Sequence, residues 1–387
     1  MMRFYKSFSL CLAAFLTAFL LGGCTRNSSI PDDHVTIENH EFLEREQLKY
    51  ADKFAIDRYT DGFSAVYTAD GTRCLIVPRG ESPPENLNES YKIIYSPIEN
   101  VYLAATSSMS LFDALDSGSA VRFSGTKAED WYIDYAKNAL ESGSMIYAGK
   151  YSLPDYGLLL SNKCSLAIES TMIEHTPDVK EKLEELGITV FVDYSSYEQH
   201  PLGRSEWIKV YGEMLGKSDI AESAFNEQSE MIENLKKSDT NKTAVFFYIN
   251  SSGQFVTRKP GDYVSKMIEL SGGENVFKHL DGEGFSTVTL EGEEFCETAR
   301  DADFIIYNST IGGEVQSIEQ LCEKSPLLED FKAVRENNVW CTKNNLFQET
   351  LKSGSIILEM NLIFTNQTEG ESMEFLFKLK GGGENER

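Results

Sequence analysis

Residues 218–237, SDIAESAFNEQSEMIENLKK, decide how the chain is read. Ile220, Ala221, Ala224, Phe225, Met231, Ile232 and Leu235 recur at three- and four-residue spacing. That pattern predicts a helix with one buried stripe and with Glu222, Glu227, Glu230 and Glu233 turned to water. The ends agree: Ser218 is placed to accept first-turn amides, Asp219 and Glu222 suit the positive end of the helix dipole, and Lys236 and Lys237 suit the negative end. Such a helix spans about 30 Å, the width of a small domain. It serves equally as a connector between two bodies or as one amphipathic helix inside a larger one.

The flanks favour the connector. Upstream, a strand at 101–105 leads through the cap-forming Thr106-Ser107-Ser108 into a helix carrying Met109, Leu111, Phe112 and Leu115. Helices at 128–142 and 154–161, a strand at 165–168 ending in Glu169-Ser170-Thr171, a helix at 177–186 and a strand at 189–192 continue the rhythm. Downstream the pattern resumes: a strand at 244–249, a polar loop at 250–259, a helix at 263–270 stopped by Gly272-Gly273, a strand at 304–307, helix at 317–321, strand at 339–341, helix at 356–363 and an edge strand within 373–379. This alternation predicts parallel sheets with helices on both faces. Ahead of both halves, strands at 54–59, 63–68 and 72–77 separated by Asp61-Gly62 and Asp70-Gly71 predict a small antiparallel meander.

A length of 387 residues implies two compact domains plus tails. With 41% hydrophobic and 11% aromatic residues the composition is globular, and a formal charge of −25 argues against a nucleic-acid partner. The N-terminus differs. Arg3 and Lys6 precede an almost wholly apolar run, 8–21, that stops at Leu21-Gly22-Gly23-Cys24. That quartet resembles a bacterial lipobox, which implies cleavage after residue 23 and diacylglycerol on Cys24, with the polar stretch that follows as a tether. The other cysteines, Cys74, Cys164, Cys296, Cys322 and Cys341, include no CxxC pair and read as buried free thiols. No Gly-x-Ser-x-Gly, His-Glu-x-x-His or phosphate loop occurs, so no enzyme is expected.

Five further stretches carry a family resemblance: AGKYSLPDY at 148–156, LEELGITV at 183–190, WIKVYGEMLGK at 207–217, IELSGGENVF at 268–277 and FKAVRENNVW at 331–340. In this order, behind a lipobox, they resemble the lipid-anchored substrate-binding proteins of ABC importers, the class with one rigid helix between its lobes that carries iron-siderophores, haem or corrinoids. The resemblance implies two Rossmann-like α/β lobes joined by a single long backbone helix. The expected divisions are 1–23 signal peptide, 24–50 tether, 51–217 N-terminal lobe with its meander, 218–237 interlobe helix, 238–380 C-terminal lobe and 381–387 disordered tail. It further implies an extracytoplasmic, membrane-anchored monomer that hands a small metal chelate to an ABC permease and its ATPase, with no cofactor or metal site of its own. A zinc or manganese receptor of the related class is the alternative, but it needs converging ligands and the five histidines, at 34, 40, 175, 200 and 279, are too few and too dispersed.

Ligands of open α/β sheets bind outside the carboxyl ends of the strands. On that rule the ligand-binding candidates are Ser107, Ser108, Met109, Ser170, Thr171, His200 and Arg204 in the first lobe and Arg258 and Asn308 in the second, with Tyr147 and Tyr151 as aromatic candidates for the rim or floor. Ser107 and Ser108 serve equally as helix caps. Arg204 and Arg258 are favoured as forks for an acidic ligand. Trp131 reads as core. The family docks on its permease through one glutamate per lobe. Glu293 or Glu294 stands in the matching place in the second lobe, whereas Gly157 occupies it in the first and leaves Asp155 as the substitute.

Overall fold

The computed structural model describes residues 30–381, apart from 86, 89, 236–239 and 282–285. The signal sequence, Cys24, the start of the tether, Lys236, Lys237 and residues 382–387 therefore lie outside the described residues.

Three sheets follow one another along the chain. The first has the order β1 (Phe42–Arg45), β2 (Phe54–Tyr59), β3 (Ser64–Thr68), β4 (Arg73–Pro78) and β5 (Tyr91–Ser96). The two Asp-Gly turns join β2 to β3 and β3 to β4, as their sequence requires. The meander is nevertheless larger than its three legible strands, because β1 joins one edge and β5 pairs in parallel with β4 at the other. Residue alternation splits its faces. Phe54, Ile56, Val66, Cys74 and Ile76 enter the core of the first lobe. Ala55, Ala65, Tyr67, Leu75 and Val77 form a second core, closed by Ile30, Val35, Ile37 and Phe42. Residues 30–50 are thus packed and not a tether: their scattered apolar side chains cover a sheet face that would otherwise meet water.

The second sheet is parallel throughout, ordered β10 (Thr189–Asp193), β9 (Leu166–Ser170), β6 (Val101–Leu103), β7 (Val121–Ser124) and β8 (Ile146–Tyr147). Its helices are α1 (Met109–Ala114), α2 (Asp134–Ser142), α3 (Tyr156–Ser161), α4 (Pro177–Glu185), α5 (Pro201–Glu206) and α6 (Ile208–Leu215). Trp131 lies outside α2, buried, with its indole N–H donating to Ser124 Oγ at 3.0 Å.

Next comes α7 (Ser218–Glu233). Its buried residues are Ala221, Phe225, Gln228 and Ser229, while Ile220 is 47% exposed. The buried stripe is therefore turned slightly from the one the apolar spacing predicts. Gln228 can be buried because its side-chain oxygen accepts the Ser355 amide at 3.2 Å. Ser218 does not cap the helix; its hydroxyl donates to Glu213 at 3.0 Å.

The third sheet runs β14 (Thr287–Leu290), β12 (Phe255–Arg258), β11 (Lys242–Ile249), β15 (Phe304–Tyr307), β16 (Val339–Thr342) and β17 (Leu376–Lys378), with β13 (Gly273–Asn275) also on β11. β11, β13, β15 and β16 are parallel, but β12 and β17 run against them, with β14 turned back beside β12, so the second lobe is mixed where sequence rhythm predicts a parallel sheet. Its helices are α8 (Tyr263–Leu270), α9 (Gly292–Ala299), α10 (Ser309–Gly312), α11 (Ile318–Lys324), α12 (Lys332–Arg335) and α13 (Ser353–Phe364). α13 lies directly against α7: a Cβ on Gly354 would collide with the Gln228 carbonyl. The five cysteines among the described residues are free, and Cys322 alone of them is partly exposed.

Candidate functional site

In the second sheet the strand order turns back between β6 and β9, which opens a crevice at their carboxyl ends. Ser107 and Ser170 with Thr171 stand at those two ends, half-buried, in short 3-10 turns. Their neighbours are drawn inward. Ser108 is buried and donates to Asp193 Oδ2 at 2.7 Å, and Tyr211 donates to the same oxygen at 2.5 Å. Met109 is buried in the apolar core. Both are structural in this arrangement, because the chain turns into α1 as soon as the strand ends.

What the strand ends do present is apolar. Tyr132 follows β7, Tyr147 and Leu153 follow or end β8, Met172 follows β9 and Tyr197 follows β10; all are exposed, Leu153 by 72% and Tyr197 by 53%. Carboxyl ends of parallel strands share one edge, so these five side chains rim one face. Tyr151, half-buried in the loop between β8 and α3, belongs to the same edge. Sequence reading singled out only Tyr147 and Tyr151 of this set. Position after a strand end was the one signal available for Tyr132, Met172 and Tyr197.

Beneath the rim lies an unexpected group. Glu169, in β9, is fully buried and neither carboxylate oxygen has a hydrogen-bond partner. Burial pushes its pKa up to about 8, so it is mostly protonated at neutral pH.

Across the cleft, β15 and β16 end at Asn308-Ser309 and Thr342-Lys343. Ser309 donates its amide to Thr342 Oγ1 at 3.1 Å, and Lys343 Nζ donates to the Met373 carbonyl at 2.5 Å. A cavity of about 310 Å³ is lined there by Ser309, Glu314, Thr342, Lys343 and, from the first lobe, Tyr132. Asn308 is buried just below, with both amide atoms unpartnered. The lobes touch beside this cavity, where Gln348 accepts the Tyr132 amide at 2.9 Å and donates to the Asp130 carbonyl at 2.8 Å.

The basic and imidazole candidates are elsewhere. His200 caps α5 by accepting the Leu202 amide at 3.2 Å and stacks on Tyr50 at 4.4 Å. Burial, with Lys266 nearby, lowers its pKa to about 4. Arg204 lies over the Tyr263 ring at 3.9 Å, tying α5 to α8. Arg258 is on β12, not in a loop, beside Phe246 in the middle of β11, and pairs with Asp262 at 3.3 Å. The two guanidinium groups are therefore engaged within the protein, and a strand hidden in the polar run 250–259 places Arg258 at the end of β12 and not in the predicted loop. Of the docking candidates, Glu293 and Glu294 are exposed in the first turn of α9, and exposed Asp155 caps α3 by accepting the Leu158 amide at 2.9 Å.

Comparison with known proteins agrees with this geometry. Residues 103–346 match the family described as periplasmic binding protein. An uncharacterized lipoprotein of Methanocaldococcus jannaschii is 26% identical over 325 residues, 80% of this chain and 77% of its own. The periplasmic haem-binding protein HutB of Vibrio cholerae superposes with a TM-score of 0.57 at 16% identity, covering 69% of this chain and 99% of its own. The periplasmic vitamin B12 binding protein BtuF of the same organism gives 0.51 at 13% identity, over 70% and 99%. A match over most of the chain, on two α/β bodies whose strand ends border one cleft, places the chain in the periplasmic binding protein family, to which it belongs.

Proposed function

We propose that the protein captures an iron-siderophore, haem or corrinoid in the cleft between its lobes and delivers it to an ABC permease driven by an ATPase. The observation that carries this reading is the rim of Tyr132, Tyr147, Leu153, Met172 and Tyr197. Five exposed large apolar side chains on one sheet edge suit a ligand with a broad apolar face, and each contact covered is worth about 1–1.5 kcal/mol. Ser107, Ser170, Thr171 and Tyr151 supply a polar fringe, with Ser309 and Thr342 opposite. Glu293, Glu294 and Asp155 face the permease, and lipid on Cys24 holds the monomer outside the cytoplasmic membrane; the lipoprotein name of the archaeal relative supports that placement. Absorbance and fluorescence titration with haemin, cyanocobalamin and ferrichrome tests the proposal. Saturable binding of at least one at micromolar strength or tighter is expected; no saturation with any of them overturns it.

A further inference from the structure

Around the cleft the uncommitted charged and amide groups are mostly acceptors. Asp130 precedes the rim residue Tyr132 where the lobes touch, Glu174 lies in the turn after β9, and Glu314 lines the 310 Å³ cavity of the second lobe. All three carboxylates are exposed, and none forms an ion pair among the described residues. Asn345, on the wall of the same cavity, donates its amide to the Glu374 carbonyl at 3.4 Å and keeps its side-chain oxygen buried without a partner. Buried Asn308 has neither amide atom satisfied. Buried polar atoms left unpaired are costly, and a ligand N–H that reaches such an oxygen offsets that cost.

The cations nearby are committed. Lys343 donates to the Met373 carbonyl at 2.5 Å, Lys127 pairs with Glu129 at 3.4 Å and Arg258 pairs with Asp262 at 3.3 Å. Arg204 lies on the Tyr263 ring beside a cavity of about 10 Å³, which has room for one water at most. Against the carboxylates stands Lys150, exposed in the loop after β8.

We propose that the cleft takes metal chelates whose edge is uncharged and carries amide or other N–H groups, and that it rejects the same chelates when they bear free carboxylates. This selectivity rests on the capture of a chelate proposed above and narrows it by the chemistry of the ligand's edge. The apolar rim offers the same contact area to either form, so discrimination falls to charge. An anionic group brought among Asp130, Glu174 and Glu314 gives up water and meets like charge, whereas an amide finds acceptors.

Matched pairs of ligands separate the edge from the chelate: cyanocobalamin against its monocarboxylic acid, ferrichrome against ferrichrome A, and haem dimethyl ester against haemin. Each is titrated into the whole protein and followed by absorbance and fluorescence. In whichever pair saturates, the carboxylate-free member is expected to bind about tenfold tighter, and Asp130→Asn with Glu314→Gln, two exposed positions, to reduce that ratio to about threefold or less. Equal affinity, or tighter binding of the carboxylate, overturns the selectivity and leaves chelate capture standing. A preference that the double variant leaves unchanged also overturns it, because the cleft carboxylates are then not its source. Saturation by no member of any pair overturns chelate capture, and the selectivity falls with it.

Discussion

The two lobes meet the cleft with different surfaces. The first is a wholly parallel sheet whose strand ends carry exposed Tyr, Leu and Met side chains. The second is a mixed sheet whose strand ends carry hydroxyls, Lys343 and a small cavity. The difference follows from topology. In the first lobe every loop after a strand lies on the same edge, so five loops contribute to one face. In the second, antiparallel β12 and β17 send their carboxyl ends to the opposite edge, and fewer loops are left to build a platform. The first lobe is thus suited to supply binding area and the second to supply orientation.

Both lobes also use a buried glutamate to gather consecutive backbone amides. Glu206 accepts the amides of Lys49, Tyr50 and Ala51 at 2.8, 2.8 and 2.9 Å, and Glu359 accepts those of Glu374, Phe375 and Leu376, the last two at 3.0 Å to Glu359 Oε2. Glu206→Ala is expected to cost about 3 kcal/mol, since three partly buried donors lose one charged acceptor. Glu359→Ala should cost about as much; urea midpoints of both variants that differ by more than about 2 kcal/mol would show that the clamps are not equivalent. Removing the platform is the next largest effect: Tyr132→Ala, Met172→Ala and Tyr197→Ala together should weaken capture of the best of the three probe ligands about 100-fold, against about tenfold or less for Ser309→Ala with Lys343→Ala. The reverse order in titration would reassign the roles of the lobes.

Glu169 sharpens the contrast further, because its folded pKa of about 8 lies above its ordinary value of 4.5. Its protonated form is favoured in the fold, so stability is full below about pH 4.5 and declines as pH rises through 8, where the unfolded chain has already released the proton. Glu169→Gln should remove that decline and raise stability at pH 8 by about 1–3 kcal/mol, measured by urea unfolding across pH. The smallest effect is expected of Arg204→Lys, which keeps a cation over Tyr263: less than about 1 kcal/mol in stability and no change in ligand affinity. A large loss of affinity would return Arg204 to the binding site.

The sequence was most legible where local chemistry determines structure. Asp61-Gly62 and Asp70-Gly71 specify their hairpins, and helical spacing located α7 to within a turn. Pairing between distant segments was not legible. β5 joins β4 in parallel across a long loop, and nothing in 91–96 announces its partner. The run 198–207 holds two ligand-binding candidates, His200 and Arg204, suggested by their place in the loop beyond a strand end. Its actual partners, the amides of 49–53, carry no side-chain signal at all. The rim escaped for a related reason: an exposed tyrosine in a loop looks the same in sequence whether it points at a cleft or at bulk water.

The segment 49–53, between β1 and β2, whose amides are held by Glu206 and Glu198, bears on how the molecule assembles. Lys49 and Glu206 are 157 positions apart, and Lys53 and Glu198 are 145 apart. Closing loops of that length adds little to the equilibrium cost of folding but slows the search for the native pairing. As the chain leaves the ribosome, the hairpins of β2, β3 and β4 can zip early from local contacts. The five amides of 49–53, however, stay with water until α5 has been made. Fastening of the 49–53 segment is therefore a late event that requires the first lobe, although its residues are among the first of the described chain to emerge.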